Sequence, residues 1–334
     1  MSTWARFRRR RWNLVGLAIV LALALTALAA DFIASSRPIL LRHRGRLYLF
    51  ANVIEYRDLR DFDSSRLQPG DWALWAPCRH GPYEIPRLES ISVPFPEPPG
   101  PGHPLGTDNA GRDTLARVVH GTRTSLGVGV AAALVQVAIG LALGVLAGYL
   151  GGWADLIVTR TAEVLLSFPL LLLLLTVQGV LERTTLLSTL AVIGLTRWAD
   201  TSRLVRAEAL RVREMPYVEA SRALGSPRWR TLLRHVLPNC LSPALVAATF
   251  GVGSAILLES ALSFLGFGAP EPTASWGLLM ADGFQDILDP AARPLVLVPG
   301  LALFLAVTAF NLIGDGLRGA LDPRAQGAVE QLQL

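Results

Sequence analysis

Residues 215–239 read MPYVEASRALGSPRWRTLLRHVLPN, between apolar runs near 186–198 and 241–266. In physical terms the stretch is a short helix, a sharp stop and a second helix. Pro216 suits a first helical turn, where its missing N–H goes unused. Gly225 suits the left-handed residue that closes a helix. Ser226 then caps a second helix, with Pro227 at its first position. Such a compact pair, held at the membrane surface by its apolar neighbours, has a shape that docks into a partner's groove.

The apolar runs continue outward in both directions. Candidate spans are 12–30, 125–150, 156–180, 186–198, 241–266 and 294–314, several of them long enough for the roughly 20 helical residues a bilayer requires. The chain of 334 residues is 51% hydrophobic and only 17% charged, where a soluble domain carries nearer a quarter charged residues. The fold expected is therefore an all-α integral membrane protein of about six helices. Gly127, Gly129, Gly140, Gly144 and Gly148 in the second run let neighbouring helices approach closely.

The net charge is +5, and all 31 basic residues are arginine. They concentrate in the loops between apolar runs, which reads as membrane topology rather than nucleic-acid binding. Eight arginines lie between spans four and five, whereas Arg293 stands alone against Glu271, Asp282, Asp286 and Asp289 between spans five and six. Short arginine-rich loops stay inside, so both termini are expected in the cytoplasm. Arg6 and Arg8 to Arg11 ahead of the first run would also suit a signal peptide. The run is long for one, and an uncleaved first span is the better reading.

Four regions follow: 1–30, cytoplasmic N-terminus and first span; 31–121, an extracytoplasmic loop ending in an amphipathic, gate-like helix; 122–316, the transmembrane core, with a cytoplasmic coupling segment at 200–238; and 317–334, a cytoplasmic tail. Within the loop, Arg44-Gly45-Arg46 marks a hairpin turn, and the prolines of 94–101 form an extended spacer. Cys78 and Cys240 fall on opposite sides of the membrane in this topology, so no disulfide joins them. Cys78-x-His80 alone is too little for a metal site, and no metal or cofactor is expected.

The 215–239 stretch resembles the EAA loop of ABC importer permeases through Glu219, Ala220, Gly225, Leu237 and Pro238, with Ser221 in place of a second alanine. Arg234-His235 ahead of Leu237-Pro238-Asn239 resembles the form used by the dipeptide, oligopeptide and nickel permeases. So do 103–117 (HPLGTDNAGRDTLAR), the start of span three with Asp155, Arg160, Glu163, Phe168 and Pro169, and the stretches 259–268 and 314–323. The loop from Arg37 to Pro99 looks like the enlarged outer loop of microcin C-type peptide permeases.

The resemblance implies a type I ABC importer permease fold in a bacterial inner membrane. It implies a second, homologous permease, separate cytoplasmic ATP-binding subunits and an extracytoplasmic substrate-binding protein as partners beside the lipid bilayer, and no nucleic acid. Glu219, Ala220, Ser221, Gly225, Leu237 and Pro238 would couple to the ATPase. Peptides are the implied cargo, with nickel or another small cargo as the alternative. The chain contains no Gly-x-x-x-x-Gly-Lys phosphate loop, so ATP hydrolysis is expected elsewhere and the chain is not read as an enzyme. An ion-coupled secondary transporter would favour internal repeats and leaves 215–239 unexplained; a membrane enzyme lacks a nucleophile and base placed to meet.

Four further expectations concern single residues. Arg160 and Glu163, one turn apart, read as a structural ion pair. Glu259, an acid inside span five, either lines a translocation path or holds helices together. Asp108, Gly111, Arg112 and Asp113 belong either to an amphipathic interfacial helix or to an outer gate element. His235 reads as a structural hydrogen-bonder.

Overall fold

The computed structural model describes residues 3–59, 70–85, 95–181 and 183–321. Pro94 of the proline run and the tail beyond Leu321, with Asp322 and Pro323, lie outside the described residues. The elements in order are α1 (Thr3–Arg8), α2 (Arg11–Leu28), α3 (Ala30–Ile33), β1 (Leu40–His43), β2 (Arg46–Leu49), β3 (Trp72–Leu74), α4 (Thr114–Leu150), α5 (Gly152–Ser167), α6 (Leu170–Val180), α7 (Leu186–Arg213), α8 (Pro216–Ala223), α9 (Arg228–Thr231), α10 (Leu237–Phe264), α11 (Trp276–Gln285) and α12 (Arg293–Leu321). They fall into two compact units, one drawn from Met1–Val20, Val128–Glu259 and Leu305–Leu334, the other from Leu21–Gly127 and Ser260–Phe304.

Among the described residues, four helices are long and apolar enough to cross a membrane: α2, α4, the run from α9 through α10, and α12. The pair α5 and α6 makes a fifth if it counts as one span, and it is bent by 90°. The third span expected at 156–180 is thus two helices with a sharp bend between them. Pro169 supplies no N–H and drives Phe168 out of helical geometry, to φ −91° and ψ 140°. The fourth expected span is only the first half of α7, which continues as one helix through the arginine-rich stretch to Arg213.

In the first unit, glycine spacing sets the closest helix contact. A Cβ placed on Gly140, Gly144 or Gly148 of α4 would come within 2.5–2.7 Å of Thr201, Ser202 or Ala209 of α7. Small residues every fourth position give α4 a flat face, and α7 lies against it. Gln136 donates to Thr201 Oγ1 at 3.0 Å across the same contact.

In the second unit the hairpin forms as β1 and β2, with Arg44 and Gly45 both at positive φ as a two-residue turn requires. β3 adds antiparallel on the other side of β1, giving the order β2-β1-β3. Leu41, Tyr48, Ala51 and Leu59 form its small core. α11 is anchored by Trp276, fully buried, whose indole N–H donates to the Val118 carbonyl at 3.2 Å.

Candidate functional site

The segment after α7 folds as a helix pair. α8 begins with Pro216 at its first position and ends in a Schellman closure: Gly225 N–H donates to Arg222 O at 2.9 Å and Ser226 N–H to Ser221 O at 3.1 Å, with Gly225 at φ +79°. The second helix starts one residue later than its sequence suggests. Pro227 occupies the cap position, and the Ser226 side chain makes no capping bond there. Nor does this helix stop before the next span. Residues Leu232–Val236 form a widened π turn that carries α9 straight into α10. That widening lies just ahead of Pro238, whose ring would clash with the Arg234 carbonyl in a regular α turn.

One face of this pair is sewn into the protein. Val218 and Val236 are fully buried with Val145, Tyr149, Val205, Ala209, Val212, Cys240 and Ala244 from α4, α7 and α10. Ser221 Oγ lies 3.3 Å from Thr231 Oγ1, tying α8 to α9. The other face is bare: Leu224 is 87% exposed and Trp229 66%, beside exposed Glu219 and Ala220. Leu237 is half-buried and Pro238 exposed at the root of α10. A cleft of about 450 Å³ alongside is lined by Tyr149, Arg213, Arg222, Ser226 and Arg228, with the Arg222 guanidinium 5.0 Å from the Tyr149 ring centre. A buried root, an exposed apolar tip and a cationic cleft suit the docking of another protein.

The second cluster surrounds the start of α4. Residues 107–113 are a turn, closed by a Thr107–Asp113 bridge, and the helix begins at Thr114. Its opening is largely buried, and most of its charged groups pair with one another. Asp108, fully buried, accepts from the backbone N–H groups of Ala110 and Arg112, from Arg112 Nε at 2.6 Å and from Arg117 Nη1 at 2.7 Å. Arg112 also reaches Glu271 at 3.1 and 3.4 Å. This hydrogen bond holds the Glu271 carboxyl below the usual range, whereas burial pushes Asp282 of α11 up to about 6. Gly111, at φ +80°, sits where a Cβ would lie 2.5 Å from the Phe95 ring. Asp113 caps α4, accepting from Ala116 N–H at 2.7 Å. Arg117, Glu271 and Asp282 are members that the sequence reading did not single out; Arg117 pairs with Asp108 nine residues before it, and Glu271 with Arg112 far away in the chain.

Asp113 also brings together residues that the sequence kept apart. His103 Nδ1 is 2.8 Å from Asp113 Oδ2, the Cys78 thiol donates to Asp113 Oδ1 at 3.5 Å, and the His80 and His103 ring centres are 4.4 Å apart. Burial pushes the Cys78 thiol up to about 11. Both cysteines are free.

The remaining candidates stand separately. Arg160 Nη1 donates to Glu163 Oε2 at 2.6 Å, both side chains exposed on α5. Glu259 is fully buried near the end of α10. His235 has its ring 6.1 Å from that of Tyr217.

Comparison with known proteins agrees with this architecture. Residues 140–327 match the family described as binding-protein-dependent transport system inner membrane component, and residues 2–45 match the N-terminal TM domain of oligopeptide transport permease C. The glutathione transport system permease protein GsiD of Pectobacterium atrosepticum is 40% identical over 228 residues, covering 68% of this chain and 75% of that one. The dipeptide transport system permease protein DppC of Alkalihalophilus pseudofirmus is 41% identical over 226 residues, covering 68% and 73%. The long apolar helices and the match over more than half its length make this chain a member of the binding-protein-dependent transport system inner membrane component family.

Proposed function

We propose that this chain is a permease subunit of an ATP-driven importer for peptides, and that α8 and α9 couple it to the ATPase. The cargo reading rests on the dipeptide and glutathione permeases it resembles. The coupling reading rests on one observation: a helix pair with a buried root and a bare apolar tip. Leu224 and Trp229 enter a groove of a cytoplasmic ATP-binding subunit, and an acidic group of that subunit meets Arg213, Arg222 and Arg228. Because Val218 and Val236 pack into the cluster shared by α4, α7 and α10, movement of the tip carries those helices as a rigid body. That motion switches a cavity, completed by a second permease, between outward and inward access. An extracytoplasmic binding protein delivers the peptide.

In this reading α2, α4, α5 with α6, the first half of α7, α10 and α12 make six crossings, with both termini in the cytoplasm and residues 31–121 outside. Arg160 and Glu163 serve as a structural pair at the inner end of α5, and the Asp108–Arg112 turn with Gly111 and Asp113 works as an outer gate element. The docking test is cross-linking. In a chain with Cys78 and Cys240 replaced by serine, Leu224→Cys should form a cross-link with a co-expressed ATPase subunit carrying cysteines in its groove. No cross-link in an assembled, active transporter would overturn the docking assignment.

A further inference from the structure

We propose that His80, His103 and Asp113, with Cys78 as the fourth ligand, form a binding site for a zinc-class divalent ion. The ring nitrogens of His80 and His103 and a carboxylate oxygen of Asp113 all lie within 4.8 Å of one another. A tetrahedral zinc site holds its donors roughly 3.4 Å apart, so side-chain adjustments of about an ångström close these three. Cys78 Sγ lies outside this group of three but beside it, 3.5 Å from Asp113 Oδ1 and 4.0 Å from the His80 carbonyl, and would complete the set by turning toward the imidazoles.

The backbone holds these donors in place. Cys78 is pinned on both sides, its N–H donating to Ile33 O at 3.0 Å and its carbonyl accepting from Ser35 N–H at 3.1 Å. The carbonyl of His103 accepts from the N–H groups of Gly100 and Gly106, both at 2.9 Å. Asp113 is fixed as the cap of α4. A cleft of about 420 Å³, lined by Cys78, His80, Pro101 and Leu115 among others, leads to the cluster.

Hydrogen bonding alone accounts for part of this arrangement. Asp113 accepts from Ala116, meets His103 and receives the thiol of Cys78, and a capping carboxylate needs nothing more. It does not account for His80, whose ring lies over that of His103 at a 32° tilt. Two imidazoles brought together beside a carboxylate and a thiol make a donor set for one cation. Nitrogen and sulfur donors select zinc or its neighbours over magnesium and calcium. A thiolate and a carboxylate together neutralise the divalent charge. Bound there, the ion would staple the 76–81 segment to the first turn of α4, 33 residues further along the chain.

The experiment uses the full-length chain co-purified with its partner subunits, through a tag that contains no histidine. Metal-free protein is dialysed against Zn2+ and separately titrated with Co2+, whose visible spectrum reports four-coordination and thiolate ligation. One equivalent of either ion should bind, with the cobalt spectrum of a thiolate-containing tetrahedral site. His80→Ala leaves the Asp113 cap intact and should weaken binding at least about tenfold, while the complex still elutes as an assembled species. Cys78→Ser should abolish the thiolate band and Cys240→Ser should not. No stoichiometric binding by the wild type, or equal binding by His80→Ala, overturns the site. A thiolate band that survives Cys78→Ser overturns that residue's part in it. The outcome is independent of the cargo and of the docking role of α8 and α9.

Discussion

Asp155 on α5 and the Nε side of the Arg206 guanidinium on α7 form a two-point contact. Arg206 Nη2 donates to Oδ2 at 2.7 Å, while its Nε bonds the other carboxylate oxygen. Both side chains are partly exposed, which limits what Coulomb attraction adds, but the fork geometry favours the bidentate contact. A double-mutant cycle with Asp155→Asn and Arg206→Ala, read by thermal unfolding in detergent, should give a coupling of about 1 kcal/mol. Arg206→Lys should recover only part, since an ammonium cannot make the fork. A coupling indistinguishable from zero would mean that solvent screens the pair fully.

The outer cluster predicts a pH dependence through Asp282. Burial raises its carboxyl from the ordinary 3.8 to about 6; Asp108 and Glu271 push the same way, while Arg117 and Arg112 oppose. Between those two values the native state holds a proton that the unfolded chain has released. Stability therefore falls as pH rises from about 4 to 6 and stays lower above it. The penalty is on the order of 1–2 kcal/mol after solvent screening. Asp282→Asn should flatten this stretch of the stability profile and raise the unfolding temperature at pH 7 but not at pH 4. An unchanged slope in the variant would assign it to another group.

How much of this could be read in the residues depends on the range of the forces involved. α8 and its closure were legible because Pro216 and Gly225 act through their own backbone. The α4 and α7 contact was half legible: Gly140, Gly144 and Gly148 announce a close neighbour, but not which one. The break at Phe168–Pro169 carried a local signal that the apolar run on either side obscured. α7 was misjudged in length because hydropathy ends near Trp198 while helical hydrogen bonding does not. The burial of Asp108, Arg112 and Arg117 was not legible, because charges leave water only where they pair and the pairing is made by the fold. The His80, His103 and Asp113 cluster was out of reach, its members being joined by the fold rather than by spacing.

Gly225 allows the docking role to be separated from assembly. A Cβ there would meet nothing within 4 Å, so the cost of substitution lies in its φ of +79° alone, about 1–2 kcal/mol for a residue with a side chain. Gly225→Val should leave the chain inserted and its α4, α7 and α10 cluster intact. It should disturb the tip carrying Leu224, weaken ATPase association and reduce uptake strongly. Gly225→Asn, which tolerates the left-handed region, should retain most activity. Normal uptake by the valine variant would show that this turn does not carry the coupling.

Glu259 is the acid whose role most needs an experiment. It is fully buried in α10, within a helix long and apolar enough to cross a membrane. An unsatisfied carboxylate at the centre of a span costs about 3 kcal/mol, so such residues persist where they bind something or hold helices together. The two roles differ in what glutamine can replace. If Glu259 lines the peptide path, Glu259→Gln should preserve assembly and basal ATPase activity while lowering uptake several-fold, most for peptides with a free amino terminus that pairs with the carboxylate. If it is helix glue, the same change should lower the yield of assembled complex, and uptake should fall only in proportion. Uptake per assembled complex in membranes, wild type against Gln, separates the two. We expect this ratio to fall, and more for free than for N-acetylated peptides. An unchanged ratio would remove Glu259 from the transport path and leave it as a packing residue.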